Sequence, residues 1–113
     1  MAYGDLKALT ILTELISSSE ETIYTTPTGK KTEVCSIWLY NGHSASVEVS
    51  IWLPVSAGSG ADGNKRIDVT LASKESLEIS PKVPFCLSAN TFIRAVAGTD
   101  AKVSVMATGR EES

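Results

Sequence analysis

The chain has 113 residues, 42% of them hydrophobic and 20% charged, with 10 Lys+Arg against 13 Asp+Glu and a formal charge of −3. That length supports one core and one domain, and the charge argues against broad electrostatic binding to nucleic acid or acidic membranes. No apolar run approaches the roughly 20 residues of a membrane-spanning helix, and residues 1–5 lack a basic n-region, so no cleaved secretory signal is expected.

The N-terminal segment is ambiguous. Leu6, Leu9, Leu12, Leu15 and Ile16 fit one helical stripe, whereas Ile11, Thr13 and Leu15 alternate as in a strand. The β-branched Thr10, Ile11, Thr13 and Ile16 favour the strand. Ser17, Ser18 and Ser19 would then turn it into a hairpin with residues 22–25. Residues 1–21 are accordingly read as an arm or first strand, and residues 22–113 as the folded domain.

From the middle of the chain onward the dominant period is two, the signature of half-buried strands. Val47, Val49, Ile51, Leu53 and Val55 alternate with Ser46, Glu48, Ser50 and Trp52. Ile67, Val69 and Leu71 do the same, then Leu77 and Ile79, then Val103, Val105 and Ala107. Residues 32–40 and 91–97 are apolar on both faces, as strands covered on both sides or touching another chain would be. Turn chemistry separates the runs at Pro27-Thr28-Gly29, Asn41-Gly42, Ser73-Lys74-Glu75, Asn90 and Gly98-Thr99-Asp100. About eight short strands at this spacing predict an all-β, single-domain antiparallel β-sandwich, jelly-roll or Ig-like. Residues 56–66, rich in Gly and small polar residues, read as a flexible loop.

Chemistry-bearing residues are sparse. Cys35 and Cys86 lie in apolar stretches, as two buried small hydrophobes or as a disulfide pair; the former implies folding in a reducing compartment. His43, the single histidine, falls in a turn, away from either thiol, so no nucleophile–base pair is expected and the chain reads as non-enzymatic. No Cys/His spacing suits zinc. Asp62 and Asn64 lack the acidic run of a calcium loop, and Gly58-Ser59-Gly60 lacks the rest of a phosphate cradle. Lys30, Lys31, Lys65 and Arg66 read as a solvated rim. No metal or cofactor is expected.

The aromatic residues are more informative. If Cys35, Ile37 and Leu39 point inward, Trp38 and Tyr40 point outward. A hairpin through residues 41–45 would set Tyr40 opposite Ser46 and Trp38 opposite Glu48, with Trp52 beside them on the next strand. Trp38, Tyr40 and Trp52, extended by Met106, would then form one exposed patch and an interface. The alternative is that the chain ends fold over this face and complete an ordinary core.

Residues 22–41 read TIYTTPTGKKTEVCSIWLYN, and this resembles the opening of a group of small structural proteins of tailed-bacteriophage virions. The matching positions are Tyr24, Thr25, Pro27, Gly29 and Lys30, then Asn41, then the alternating residues 47–53. Residues 71–79, 91–95 and 103–111 resemble the group's later strands. The chain departs from it at Thr26, where a hydrophobic residue usually precedes the proline, and at Ala89-Asn90. The resemblance implies a virion location and a head decoration (cement) protein, or a neck, tail or baseplate component. It further implies partners among the major capsid protein or other virion proteins, and a homo-oligomer, a trimer by preference. A carbohydrate-binding sandwich is the reading from a different class, because exposed Trp and Tyr also stack on sugars.

Overall fold

The computed structural model describes residues 7–56 and 62–112, with residues 7–14 and 62 described by their backbone alone. Residues 1–6 and the tip of the Gly-rich loop, including Gly58-Ser59-Gly60, lie outside the described residues.

Nine strands are described: β1 (Lys7–Leu15), β2 (Glu21–Thr25), β3 (Lys31–Asn41), β4 (Val47–Val55), β5 (Lys65–Leu71), β6 (Ser76–Ile79), β7 (Phe85–Leu87), β8 (Phe92–Ala97) and β9 (Val103–Glu112). One sheet runs β1-β9-β3-β6, with β7 also paired to β3, and the other runs β2-β8-β4-β5. Every pairing is antiparallel. β6 and β7 share one edge of β3, pairing with residues 37–40 and 32–34 respectively, so together they act as one interrupted strand.

Counted that way, the pairings are nested: β4 with β5, β3 with β6/β7, β2 with β8, β1 with β9. The chain is a long antiparallel ribbon, folded at the β4–β5 turn, whose successive pairs go alternately to one sheet and the other. That winding is the jelly roll. Residues 7–15 are therefore a strand, but the expected hairpin with residues 22–25 does not form. Residues 16–20 instead cross between the sheets, anchored by the fully buried Ile16 and by Ile16 N–H donating to Val103 O at 2.9 Å.

The alternation read from sequence sets the core. Val47, Val49, Ile51, Leu53 and Val55 of β4 are all buried, the first four in one core with Ile37 and Leu39 of β3 and Val103, Val105 and Ala107 of β9. Each such aliphatic side chain taken out of water contributes about 2 kcal/mol. The turn residues also fall where needed, with Gly29, Lys74 and Asn90 at φ of 79°, 62° and 65°, the left-handed region that turn residues tolerate best.

Two local features depart from simple alternation. The β3–β9 register shifts between Val34 and Ser36, so β3 carries a bulge at Cys35. Thr32 and Val34 face inward before it, and Ile37 and Leu39 after it. Cys35 is consequently half-exposed, and Cys86, on short β7, is exposed; both thiols are free. The expectation of two buried small hydrophobes fails because the bulge flips one residue and an edge strand turns the other outward. Opposite the bulge sits Gly109, where a Cβ would lie 1.9 Å from the Glu33 carbonyl oxygen. Only glycine lets the strands approach there.

Candidate interaction face

Cross-strand partners point to the same side of a sheet, so the pairing register builds the outer face of the five-stranded sheet row by row. One row is Leu15, Ser104, Tyr40, Ser76; the next is Met106, Trp38, Glu78. Trp38 and Tyr40 are 42% and 43% exposed and Leu15 is 54% exposed. Met106 is half-buried beside Trp38. A shallow hollow of about 310 Å³ lies between the two rings, with Ser76, Ser104 and Met106 on its walls. Further along, Ser36 and Thr108 share a hydroxyl–hydroxyl hydrogen bond of 2.5 Å, and Arg110 pairs with Glu33 at 3.6 Å. Around the two rings the only charged neighbour in these rows is Glu78, which accepts a hydrogen bond from Ser80 Oγ at 2.6 Å.

Trp52 is not on this face. The expected hairpin between residues 32–40 and 47–55 does not form, because residues 42–46 cross from one sheet to the other, and Tyr40 and Trp38 face Ser76 and Glu78 rather than Ser46 and Glu48. Trp52 lies on the opposite sheet at 8% exposure. It is flanked by its cross-strand neighbours Arg94 and Lys65, whose ammonium sits 5.4 Å from the ring centroid. Arg94 is itself held by Glu20 at 2.6 Å and by Thr22 Oγ1 at 2.8 Å. Ser50 donates to Asp68, which also pairs with Lys65. That sheet's outer face is a charged, internally paired surface, whereas the other is apolar and hydroxyl-bearing around Trp38 and Tyr40, with Glu78 at its edge and the Glu33–Arg110 pair further along.

The crossing that separates Trp38 from Trp52 is organised by Asn41, which is fully buried. Its Nδ2 donates to the carbonyls of Ala45, Leu71 and Ala72 at 3.0, 3.0 and 3.1 Å, and its Oδ1 accepts from His43 N–H at 2.9 Å. Sequence reasoning treated Asn41 as a turn residue; nothing in its spacing signals that it ties both sheets. His43 is half-exposed in this crossing, its carbonyl accepting from Ser73 Oγ.

At the other end of the sandwich Tyr24 of β2 reaches across to the opposite sheet. Its hydroxyl donates to Glu111 at 2.5 Å and shares a 2.8 Å hydrogen bond with Thr32. Burial, then the Glu111 carboxylate, push its pKa up to about 12. Nearby, a hollow of about 420 Å³ is lined by Lys31, Glu33, Cys86 and Glu112, where the charges are of both signs. Asn64 Nδ2 donates to the Pro54 carbonyl, so its amide braces the loop. Among the described residues no three His, Cys, Asp or Glu converge on a point that could hold a metal ion.

The fold defines a small jelly-roll sandwich. No family model matches the chain, and no curated protein is similar to it in sequence. Solved structures share the architecture. A Bacillus endospore appendage protein, from a family of disulfide-linked pili, is similar over 96% of this chain and 86% of its own, with a TM-score of 0.57 at 10% identity. A protein of the virus-like particle of the giant freshwater prawn Macrobrachium rosenbergii extra small virus is similar over 94% of this chain and 77% of its own, with a TM-score of 0.53 at 15% identity. At such identities the likeness is one of fold.

Proposed function

We propose that this chain is a non-enzymatic structural subunit that oligomerises and docks on a larger particle through the outer face of the five-stranded sheet. The observation that carries this reading is the contrast between the two faces. One gathers Trp38, Tyr40, Met106 and Leu15 in a cluster where, among the described residues of those rows, Glu78 is the one charge, the composition of an interface centre. The other is studded with paired charges and suits water. The resemblance to tailed-phage virion proteins gives the specific form: a head decoration protein bound to the major capsid protein, with a neck, tail or baseplate position as the same face used elsewhere on the virion. Trp52 drops out of the interface and becomes a packing residue.

The test is light scattering on the purified chain, followed by mixing with phage heads, isolated tails and glycans. The parent chain is expected to oligomerise and to saturate heads. Trp38→Ser and Tyr40→Ser, at exposed positions, should weaken that binding at least 10-fold while the urea midpoint stays in place. Binding unchanged in both variants would refute the face. Binding to tails alone moves the site on the virion, and glycan-dependent quenching of tryptophan fluorescence, with no protein partner, replaces the reading by a carbohydrate-binding one.

A further inference from the structure

The exposed large hydrophobics among the described residues are Leu15, Trp38, Tyr40 and Val83. Three belong to the face described above. The fourth, Val83, is the most exposed at 77%. It sits in the short connection between β6 and β7, within the run Pro81-Lys82-Val83-Pro84, at the edge of the same sheet. Two prolines fix φ on either side of Lys82-Val83, which limits the conformations this segment loses on docking. Val83 therefore has the character of a pre-set knob, and the hollow between Trp38 and Tyr40 that of a socket.

We propose that copies of this chain associate head to tail, with Val83 of one copy seated in the Trp38–Tyr40 hollow of the next. This rests on the reading of the face as an interface and names its occupant. Charge complementarity supports a second copy, since exposed Lys82 adjoins the knob and exposed Glu78 stands beside Trp38 at the socket. Area supports it too. Four strands about 4.8 Å apart and some nine residues long at about 3.3 Å each give a face of roughly 600 Å². A stable interface needs about 800 Å² from each partner, so the face is marginal against a flat partner and calls for one that projects into the hollow. Knob and socket are different patches of one chain. Used head to tail, without reciprocation, they make a heterologous contact, which closes into a ring or grows into a filament.

The experiment measures association by sedimentation and light scattering across a concentration series. The parent chain should associate, and Val83→Asp should weaken association at least 10-fold, as should Trp38→Ser, with the urea midpoint of Val83→Asp unchanged. Lys82→Glu should weaken it as well, by less. A cross-linking arm uses chains with Cys35 and Cys86 replaced by Ser, one carrying Val83→Cys and the other Ser104→Cys, oxidised with copper phenanthroline. The proposal expects the mixture to cross-link and neither variant alone to do so. Cross-linking of Ser104→Cys to itself would overturn it in favour of a face-to-face dimer. If Trp38→Ser abolishes assembly and Val83→Asp leaves it intact, the knob is wrong and the interface reading stands. If neither variant changes assembly, both fall. A parent chain monomeric at every concentration overturns the proposal, and loss of head binding in Trp38→Ser would then still uphold the face as a docking site.

Discussion

Replacing Asn41 probes the crossing that places β3 and β4 in different sheets. Asn41→Ala deletes a donor group shared by three carbonyls and an acceptor for His43 N–H. The bond to Leu71 O is wholly buried, so that carbonyl gains no water in exchange. Net hydrogen bonds are worth about 1 kcal/mol each, and an unsatisfied buried acceptor costs about 1–3 kcal/mol. The expected loss is about 3 kcal/mol, a large part of the stability of a domain this size. Asn41→Asp keeps the shape but sets a carboxylate oxygen against three carbonyl oxygens, and should cost about 1 kcal/mol more at pH 7. The new carboxyl is disfavoured as an anion, so its folded-state pKa is raised above the usual value near 3.9. Its neutral form is then the stabilised one in the fold. The deficit of Asn41→Asp relative to Asn41→Ala should therefore shrink below about pH 4 and grow as pH rises through the raised pKa. Urea unfolding followed by tryptophan fluorescence and circular dichroism reads both effects; at a slope of about 1.5 kcal/mol/M the Asn41→Ala midpoint should fall by about 2 M. Midpoints within 0.3 M of the parent, or an Asn41→Asp deficit independent of pH, would refute the assignment of Asn41 as the buried donor.

Gly109→Ala should be among the most destabilising single-methyl additions in the chain. The added carbon would meet the Glu33 backbone at the bulge, forcing β3 and β9 apart, for a loss of about 3 kcal/mol or failure to fold; a urea midpoint within 0.3 M of the parent would contradict the close approach. Tyr24 has a folded-state pKa raised from 10.0 to about 12, so the fold binds its proton more tightly than the unfolded chain does. Its contribution is complete below pH 10 and is lost as pH climbs from 10 to 12. Tyr24→Phe should flatten stability over that window, measured by thermal unfolding at pH 9 to 11.5, and an unchanged slope would show that the Glu111–Thr32 clasp does not form.

The parts of this fold legible in sequence are those set by a single strand's own face. Alternation placed Val47 to Val55 and Val103 to Ala107 correctly, and it turned Trp38 and Tyr40 outward; residues 92–97, expected to be covered on both faces, alternate instead between buried and half-buried. Partner choice was not legible, because alternation fixes a side chain's side but not its neighbour. A connection of residues 42–46 is as compatible with a hairpin as with a crossing, and that one ambiguity misplaced Trp52. The bulge at Cys35 was equally hidden, since the strand it is set against, with the close approach at Gly109, lies 74 residues away in sequence. Trp38, Tyr40 and Met106 share one face because they lie on strands whose phase was read correctly. Val83 was missed: no period marks a valine between two prolines, and only its exposure shows it.

The nested pairing has a consequence for how the chain reaches this structure. The outermost pair joins Lys7 to Glu111, and β-rich topologies with such distant contacts fold slowly when each must be closed from an open coil. Here, once Ile51 has met Ile67 and β4 lies against β5, each following pair begins where the last ended and adds only a short loop to close. The route favours zipping outward from the β4–β5 turn, and the reverse order governs loosening. β1, held on one side by β9 alone, is then the last strand to arrive and the first to leave, which makes the sheet's outer boundary its kinetically softest part while the centre of the sandwich holds.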